Sequence, residues 1–358
     1  MIRQEKYQRC LVLAGGGFRF GYHLGMYAAA VDAGRAPDLL LATCGGAISA
    51  AVIQALPDHA ARKAWIASPQ MYDFLRGLQS TPLATPWRAL SQAVGRGLRG
   101  GAVPRRPDLF NDYLFEIPAQ LPLPPPRAAG ESGIALAIVG GKLLYGADDA
   151  GQPRHGGKLY AETVFCDARS AALLDGMRSP IGDGGWADTV APELLIDSTM
   201  SVGDAVRISI SDMYYFRCHT VPQADYTGGV LDLYPVELAQ RLARHVTMEI
   251  KPLFDRWMSA PALRAVFGID ANRRLRHVHA QAADVWIDTA DIGMALRGNG
   301  MQKKIAWREN RIRLVGVPDH ASYVAEVDAQ WRYGYQRAQQ AYAREAQSGL
   351  LRAAVSGA

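Results

Sequence analysis

The chain has 358 residues, 49% of them hydrophobic and 20% charged, with a formal net charge of +5 at pH 7. That is enough apolar material to bury a sizeable core in one large domain or two smaller ones, and too much for a disordered chain. The modest positive excess, with no basic stripe interleaved with aromatics and no apolar run of about eighteen residues, argues against a nucleic-acid binder and a membrane-spanning helix.

The first residues, Met1 to Lys6, lack the apolar core of a signal peptide. The four cysteines, Cys10, Cys44, Cys166 and Cys218, are scattered, with no Cys-x-x-Cys pair. They read as reduced thiols, which predicts a cytoplasmic protein without a disulfide frame, metal site or cofactor.

Taken in order, Cys10-Leu11-Val12-Leu13-Ala14 reads as a strand leading into Gly15-Gly16-Gly17, and a helix follows. Leu39-Leu40-Leu41 is a second strand, leading through Ala42 and Thr43 into Cys44-Gly45-Gly46-Ala47 and a second helix reaching about Leu56. Strand, helix, strand, helix predicts an α/β sheet with parallel strands. A nucleophile on a sharp strand-to-helix turn must sit among small residues, because neighbouring backbones crowd it. Gly45, Gly46 and Ala47 meet that demand around Cys44.

Two readings of the glycine run compete. A dinucleotide fingerprint wants glycine at 15, 17 and 20, but position 20 is Phe20, and the Gly-Lys-Ser/Thr of a phosphate loop is absent. The alternative is an oxyanion hole, in which glycine amides at a helix start aim donors at a developing negative oxygen.

Gly15-Gly16-Gly17-Phe18-Arg19, then Tyr22-His23-Leu24-Gly25 and Asp32-Ala33-Gly34, with the turn at Cys44, resembles the opening of patatin-like acyl hydrolases. The resemblance covers residues 10 to 56 and rests on two motifs that agree in type, order and spacing. It implies a three-layer sandwich with a central, mostly parallel sheet and helices on both faces. It also implies a catalytic dyad, and an oxyanion site here at Gly15, Gly16, Gly17, Arg19 and Gly45. Departures are Phe20 for a glycine, Ala42 for the first elbow glycine, and Cys44 for the nucleophilic serine.

After Pro57 the pattern loosens. Residues 80 to 107 carry Trp87, Arg88, Arg96, Arg99, Arg105 and Arg106, a composition that fits a solvated surface segment, a lid or a membrane-facing piece. Five prolines between Ile117 and Arg127 predict an extended connector, and Gly133 to Val139 a buried strand. Arg273-Arg274-Leu275-Arg276-His277 reads as a solvated turn. Val324, Val327, Trp331, Tyr335, Ala338 and Tyr342 recur at three- and four-residue steps, an amphipathic helix packed on the body of the protein. The organisation expected is one α/β domain over 1–320, with an insertion at 80–130, and a helix and tail over 321–358.

The family's second catalytic residue is the aspartate of an Asp-Gly-Gly or Asp-Gly-Ala turn. Asp183-Gly184-Gly185 has the letters. Thr227-Gly228-Gly229 has the context, with Val206 to Ser211 and Tyr215-Phe216 before it and Pro235 to Ala239 after it. The resemblance implies Thr227 as the counterpart, and threonine is no general base near neutral pH. Asp183, or the neighbours Asp225 and Asp232, would then have to supply a carboxylate; His23 and His219 are further candidate bases. Without a base, Cys44 relies on the helix N-terminus, which predicts a lowered thiol pKa and a self-activated thiolate. Two functions stay open: an acyl hydrolase or acyltransferase on a lipid ester or thioester, with peripheral membrane contact, and a catalytically silent patatin-fold scaffold.

Overall fold

The computed structural model describes residues 5–89, 91, 95, 103–127, 133–256 and 259–356; Met1 to Gln4, Arg96 and Arg99 lie outside them. The N-terminal part runs β1 (Tyr7–Leu13), α1 (Phe20–Asp32), β2 (Leu39–Ala42), α2 (Gly45–Ala55), α3 (His59–Ile66), α4 (Pro69–Arg76), β3 (Gln79–Ser80) and β4 (Phe115–Glu116). The middle holds β5 (Ala135–Leu143), β6 (Tyr160–Cys166), α5 (Ala168–Leu174), β7 (Leu195–Asp197), α6 (Val202–Ser209), β8 (His219–Val221) and β9 (Ala224–Thr227). Then come α7 (Val236–Leu242), β10 (Ala243–Ile250), α8 (Ser259–Phe267), α9 (Ala271–His279), β11 (Val285–Asp288) and α10 (Ile292–Ala295). The chain closes with β12 (Gln302–Ala306), β13 (Arg311–Val315) and α11 (His320–Ser356).

The main sheet has the order β11-β10-β1-β2-β5-β6-β7, with β9 also on β5 and β8 on β9. From β11 to β5 every pairing is parallel, and β6 and β9 run antiparallel to β5. Alternation along the strands makes the layers. Leu11, Leu13, Leu40, Ala42 and Ile138 pack with α1, α2, α6 and α11 on one side. Cys10, Val12, Leu39, Leu41 and Val139 pack with α5, α7 and α9 on the other. Both faces are covered, which is why the strands read as unbroken apolar runs. This is the expected three-layer α/β architecture.

The stretch after Pro57 forms two helices, α3 and α4, started by the side chains of Asp58 and Ser68, each of which accepts from a backbone amide three residues on. The expected turn at Arg273 is instead inside α9. Asp270 caps that helix, and Arg274 is buried against Asp232 and Glu237 rather than solvated. The C-terminal helix packs along α1 on its predicted stripe, except that Val324 is exposed. A Cβ on Gly25 would lie 2.1 Å from the Trp331 carbonyl, and one on Gly334 would lie 1.9 Å from that of Tyr22. Two glycines thus let α1 and α11 cross backbone to backbone.

Candidate active site

Cys44 is the second of the two residues between β2 and α2, at φ 50° and ψ −131°. Positive φ is uncommon for a residue with a Cβ and costs on the order of 1–3 kcal/mol. The neighbours explain how it is held. A Cβ on Gly45 would meet the Gly17 carbonyl at 2.2 Å, and one on Gly46 the Leu13 carbonyl at 1.9 Å, so only glycine lets α2 begin this close to β1. The Cys44 amide donates to Ser209 Oγ at 2.9 Å, and the Ser209 hydroxyl donates to the Val139 carbonyl at 2.8 Å.

The sequence reading missed the carboxylate at this site. Cys44 Sγ donates to Asp212 Oδ2 at 2.8 Å. Asp212 stands just past α6, and its Oδ1 has no hydrogen-bond partner among the described residues. Burial pushes its carboxyl up to about 7, against the opposing pull of the Cys44 thiol and the Val230 amide. Burial, followed by the Asp212 charge and hydrogen bond, raises the Cys44 thiol well above its ordinary value, and the Gly45 amide only opposes this. The expected self-activated thiolate is therefore corrected. The helix start is outweighed by burial and an adjacent carboxylate, and the thiol keeps its proton at rest.

The other candidates are placed elsewhere. Asp183 is exposed and bonds Arg178 at 2.7 Å. Thr227 is buried, and its hydroxyl donates to the Ser211 carbonyl at 3.5 Å, the residue before Asp212. Its turn is nonetheless part of the site. A Cβ on Gly228 would lie 2.2 Å from Asp212 Oδ1, and one on Gly229 would lie 3.1 Å from the Cys44 nitrogen. The turn thus packs against Cys44 and Asp212, and the carboxylate that reaches the sulfur belongs to the preceding segment. Asp225 bonds Thr220, and Asp232 faces Arg274. His219 faces Asp204; His23 bonds Ser49 and faces Glu249, and burial lowers its pKa. The sequence signal for Asp212 was slight, a lone acid inside the small and apolar run from Val206 to Phe216.

Gly15, Gly16, Gly17, Arg19 and Gly45 line one cavity with Cys44 and Asp212. Gly17 is at φ +62°, and a Cβ on Gly15 would come within 3.2 Å of Cys44 Cβ. The Tyr22 ring supports the loop from behind, since a Cβ on Gly16 would touch its hydroxyl at 2.6 Å. Tyr22 is itself fixed by Lys251, whose Nζ donates to the phenol oxygen at 2.6 Å and pairs with Glu249 at 2.7 Å. Arg19 Nε donates to the Asn299 carbonyl at 3.2 Å. The cavity measures about 340 Å³ and is walled largely by apolar side chains, among them Phe74, Leu78, Phe115, Phe216 and Met301. Phe115 and Ile117 bring part of the 80–130 segment to its wall. Among the described residues, no group of three His, Cys, Asp or Glu side chains is placed to hold a metal ion.

One cavity thus brings together a thiol on a strand-to-helix turn, an acid bonded to it and a glycine loop facing both. The family model for patatin-like phospholipase matches residues 11–239, and the chain belongs to that family, whose name points to lipid acyl hydrolysis. The solved structure of VipD from Legionella pneumophila is similar over 95% of this chain and 67% of that one, at 12% identity and a TM-score of 0.37. Comparison with curated proteins finds no match.

Proposed function

We propose that the protein is an acyl hydrolase of lipid esters or thioesters that works through a Cys44–Asp212 dyad. The observation that carries the reading is the 2.8 Å contact between the Cys44 thiol and the Asp212 carboxylate, inside a cavity lined by the glycine loop. A carboxyl held near neutrality is suited to general-base work at that pH.

As sulfur bonds to the acyl carbon, Asp212 takes the thiol proton. The carbonyl oxygen becomes an oxyanion facing the amides of the 15–17 loop, for which no intramolecular backbone hydrogen bond is found among the described residues. The carbon–oxygen (or carbon–sulfur) bond to the leaving group breaks, and the departing group takes the proton from Asp212. Water then attacks the Cys44 thioester, again with Asp212 as base; the carboxylic acid leaves and the thiol is restored. Because the carboxylate is in contact with the sulfur, Thr227 is not required as a base in either half. The apolar wall fits the hydrocarbon part of an acyl group.

The test is incubation with a p-nitrophenyl ester or an acyl thioester, followed by intact-mass spectrometry. The wild-type protein should turn the substrate over, and Asp212→Asn should accumulate or slow the acyl adduct on Cys44. No adduct and no turnover with any acyl donor, together with a thiol unreactive to alkylation, would leave the silent scaffold.

A further inference from the structure

Residues 297 to 313 contain six cations, Arg297, Lys303, Lys304, Arg308, Arg311 and Arg313, against one carboxylate, Glu309. This short segment accounts for a charge equal to the +5 of the whole chain. From Gln302 onward it forms the β12–β13 hairpin, which pairs Lys304 with Arg313, Ile305 with Ile312 and Ala306 with Arg311, while Arg297 precedes the hairpin. Strand alternation therefore gives it two unlike faces. Lys303 and Leu314, which pair with each other, line the Cys44 cavity, and Ile312 is buried beside Ala84 and Phe115. The opposite face carries Lys304, Arg311 and Arg313.

The tip is more unusual. Trp307 is 70% exposed, next to Arg308, and Ile305 is exposed as well. Trp87, 68% exposed, follows Ala84, whose carbonyl accepts from the Ile312 amide at 2.7 Å and ties that segment to the hairpin. Glu309 is already paired with Arg313, while Lys304 and Arg308 form no ion pair among the described residues. Large apolar side chains standing in water beside unneutralised cations suit an interface where hydrocarbon and anions meet within a few ångströms.

We infer that the β12–β13 hairpin docks this protein on an anionic lipid surface, with Trp307 at its tip entering the headgroup layer and Lys304 and Arg308 meeting the lipid charges. It rests on the reading of the Cys44 cavity as an acyl-lipid site, because the hairpin's other face lines that cavity. Docking would set the cavity against the membrane that holds its substrate.

The test is co-sedimentation of the full chain with phosphatidylcholine vesicles, with and without phosphatidylserine. Wild type should bind the phosphatidylserine vesicles and release as salt is raised. Each cation near the surface is worth about fivefold in affinity, so Lys304→Gln with Arg308→Gln should weaken binding by about 25-fold. Trp307→Ser should weaken it on the order of tenfold. All three positions are on the exposed hairpin tip or its basic face, so the variants should retain wild-type circular dichroism and turnover of a water-soluble ester. Cys44→Ala should bind vesicles as wild type does, even if no ester is ever turned over, which keeps docking separate from catalysis. Absence of phosphatidylserine-dependent binding, equal binding by the hairpin variants, or tighter retention on a polynucleotide than on vesicles would overturn the inference.

Discussion

Two glycine-pair turns in this molecule invite comparison. Asp183-Gly184-Gly185 carries the acid that the family motif asks for, yet it lies at the surface with its carboxylate on Arg178. Thr227-Gly228-Gly229 lacks the acid, yet its glycines press on Asp212 and on the backbone of Cys44. The difference teaches that such a turn is specified by what its backbone must approach. The carboxylate needs only to reach the sulfur, and Asp212 does so from the neighbouring segment.

The widest separation between the two turns should appear in activity. Removing a general base typically costs on the order of 10²–10⁴-fold, so Asp212→Asn should lower kcat/KM by that much, whereas Asp183→Asn should leave it within about twofold. Steady-state kinetics on one soluble ester compares them directly, and an equal loss at both positions would abolish the distinction.

The pH dependence sharpens it. Asp212 must be ionised to act, so kcat/KM should rise with pH through about 7 and then level off, because burial and Asp212 hold the Cys44 thiol far higher. Stability should move the opposite way. A carboxyl whose folded pKa is raised contributes stability that is complete below its unfolded value and is lost as pH climbs through about 7. Asp212→Asn should therefore gain stability relative to wild type by about 3 kcal/mol between roughly pH 5 and pH 8, read from denaturant melts.

Backbone substitutions give the next contrast. Gly228→Ala drives a Cβ to 2.2 Å from Asp212 Oδ1 and 2.9 Å from its amide, and should cost about 1–3 kcal/mol while also reducing turnover. Gly185 is at φ +71° with open space around it, so Gly185→Ala should cost only about 1 kcal/mol of conformational strain and leave turnover alone. The smallest effect belongs to Arg178→Ala, which breaks an exposed ion pair and should change stability by about 1 kcal/mol or less in a thermal melt.

The fold was legible because its strands are apolar on both faces. Leu39 to Ala42 and Cys10 to Leu13 read as interior parallel strands, and the structure pairs them with Cys10 opposite Leu39. The elbow was legible for steric reasons, since glycines at 45 and 46 are demanded by carbonyls that a sequence motif reports indirectly. Asp212 was not, because nothing local distinguishes it. Its role depends on burial and on a contact made across 168 positions of sequence. The thiol's behaviour was misjudged for the same reason: a helix start is a local feature, whereas the carboxylate that outweighs it is brought by tertiary packing. Arg274 likewise sits in a basic run whose composition suggests solvent, and only tertiary packing encloses it with Asp232 and Glu237.

The crossing of α1 and α11 has a consequence for how the protein comes into being. Gln330 on α11 accepts from the Gly21 amide at 2.8 Å and donates to Asn299 at 2.6 Å, and the Asn299 carbonyl in turn accepts from Arg19 beside the glycine loop. On the ribosome, α1 emerges before α11 and keeps its glycine face bare until the chain between them has followed. Contacts of such long separation form late, after the loop-closure entropy has been met. The glycine loop is thus braced only once α11 has packed on α1, so the cavity around Cys44 is completed by contacts that span most of the described chain.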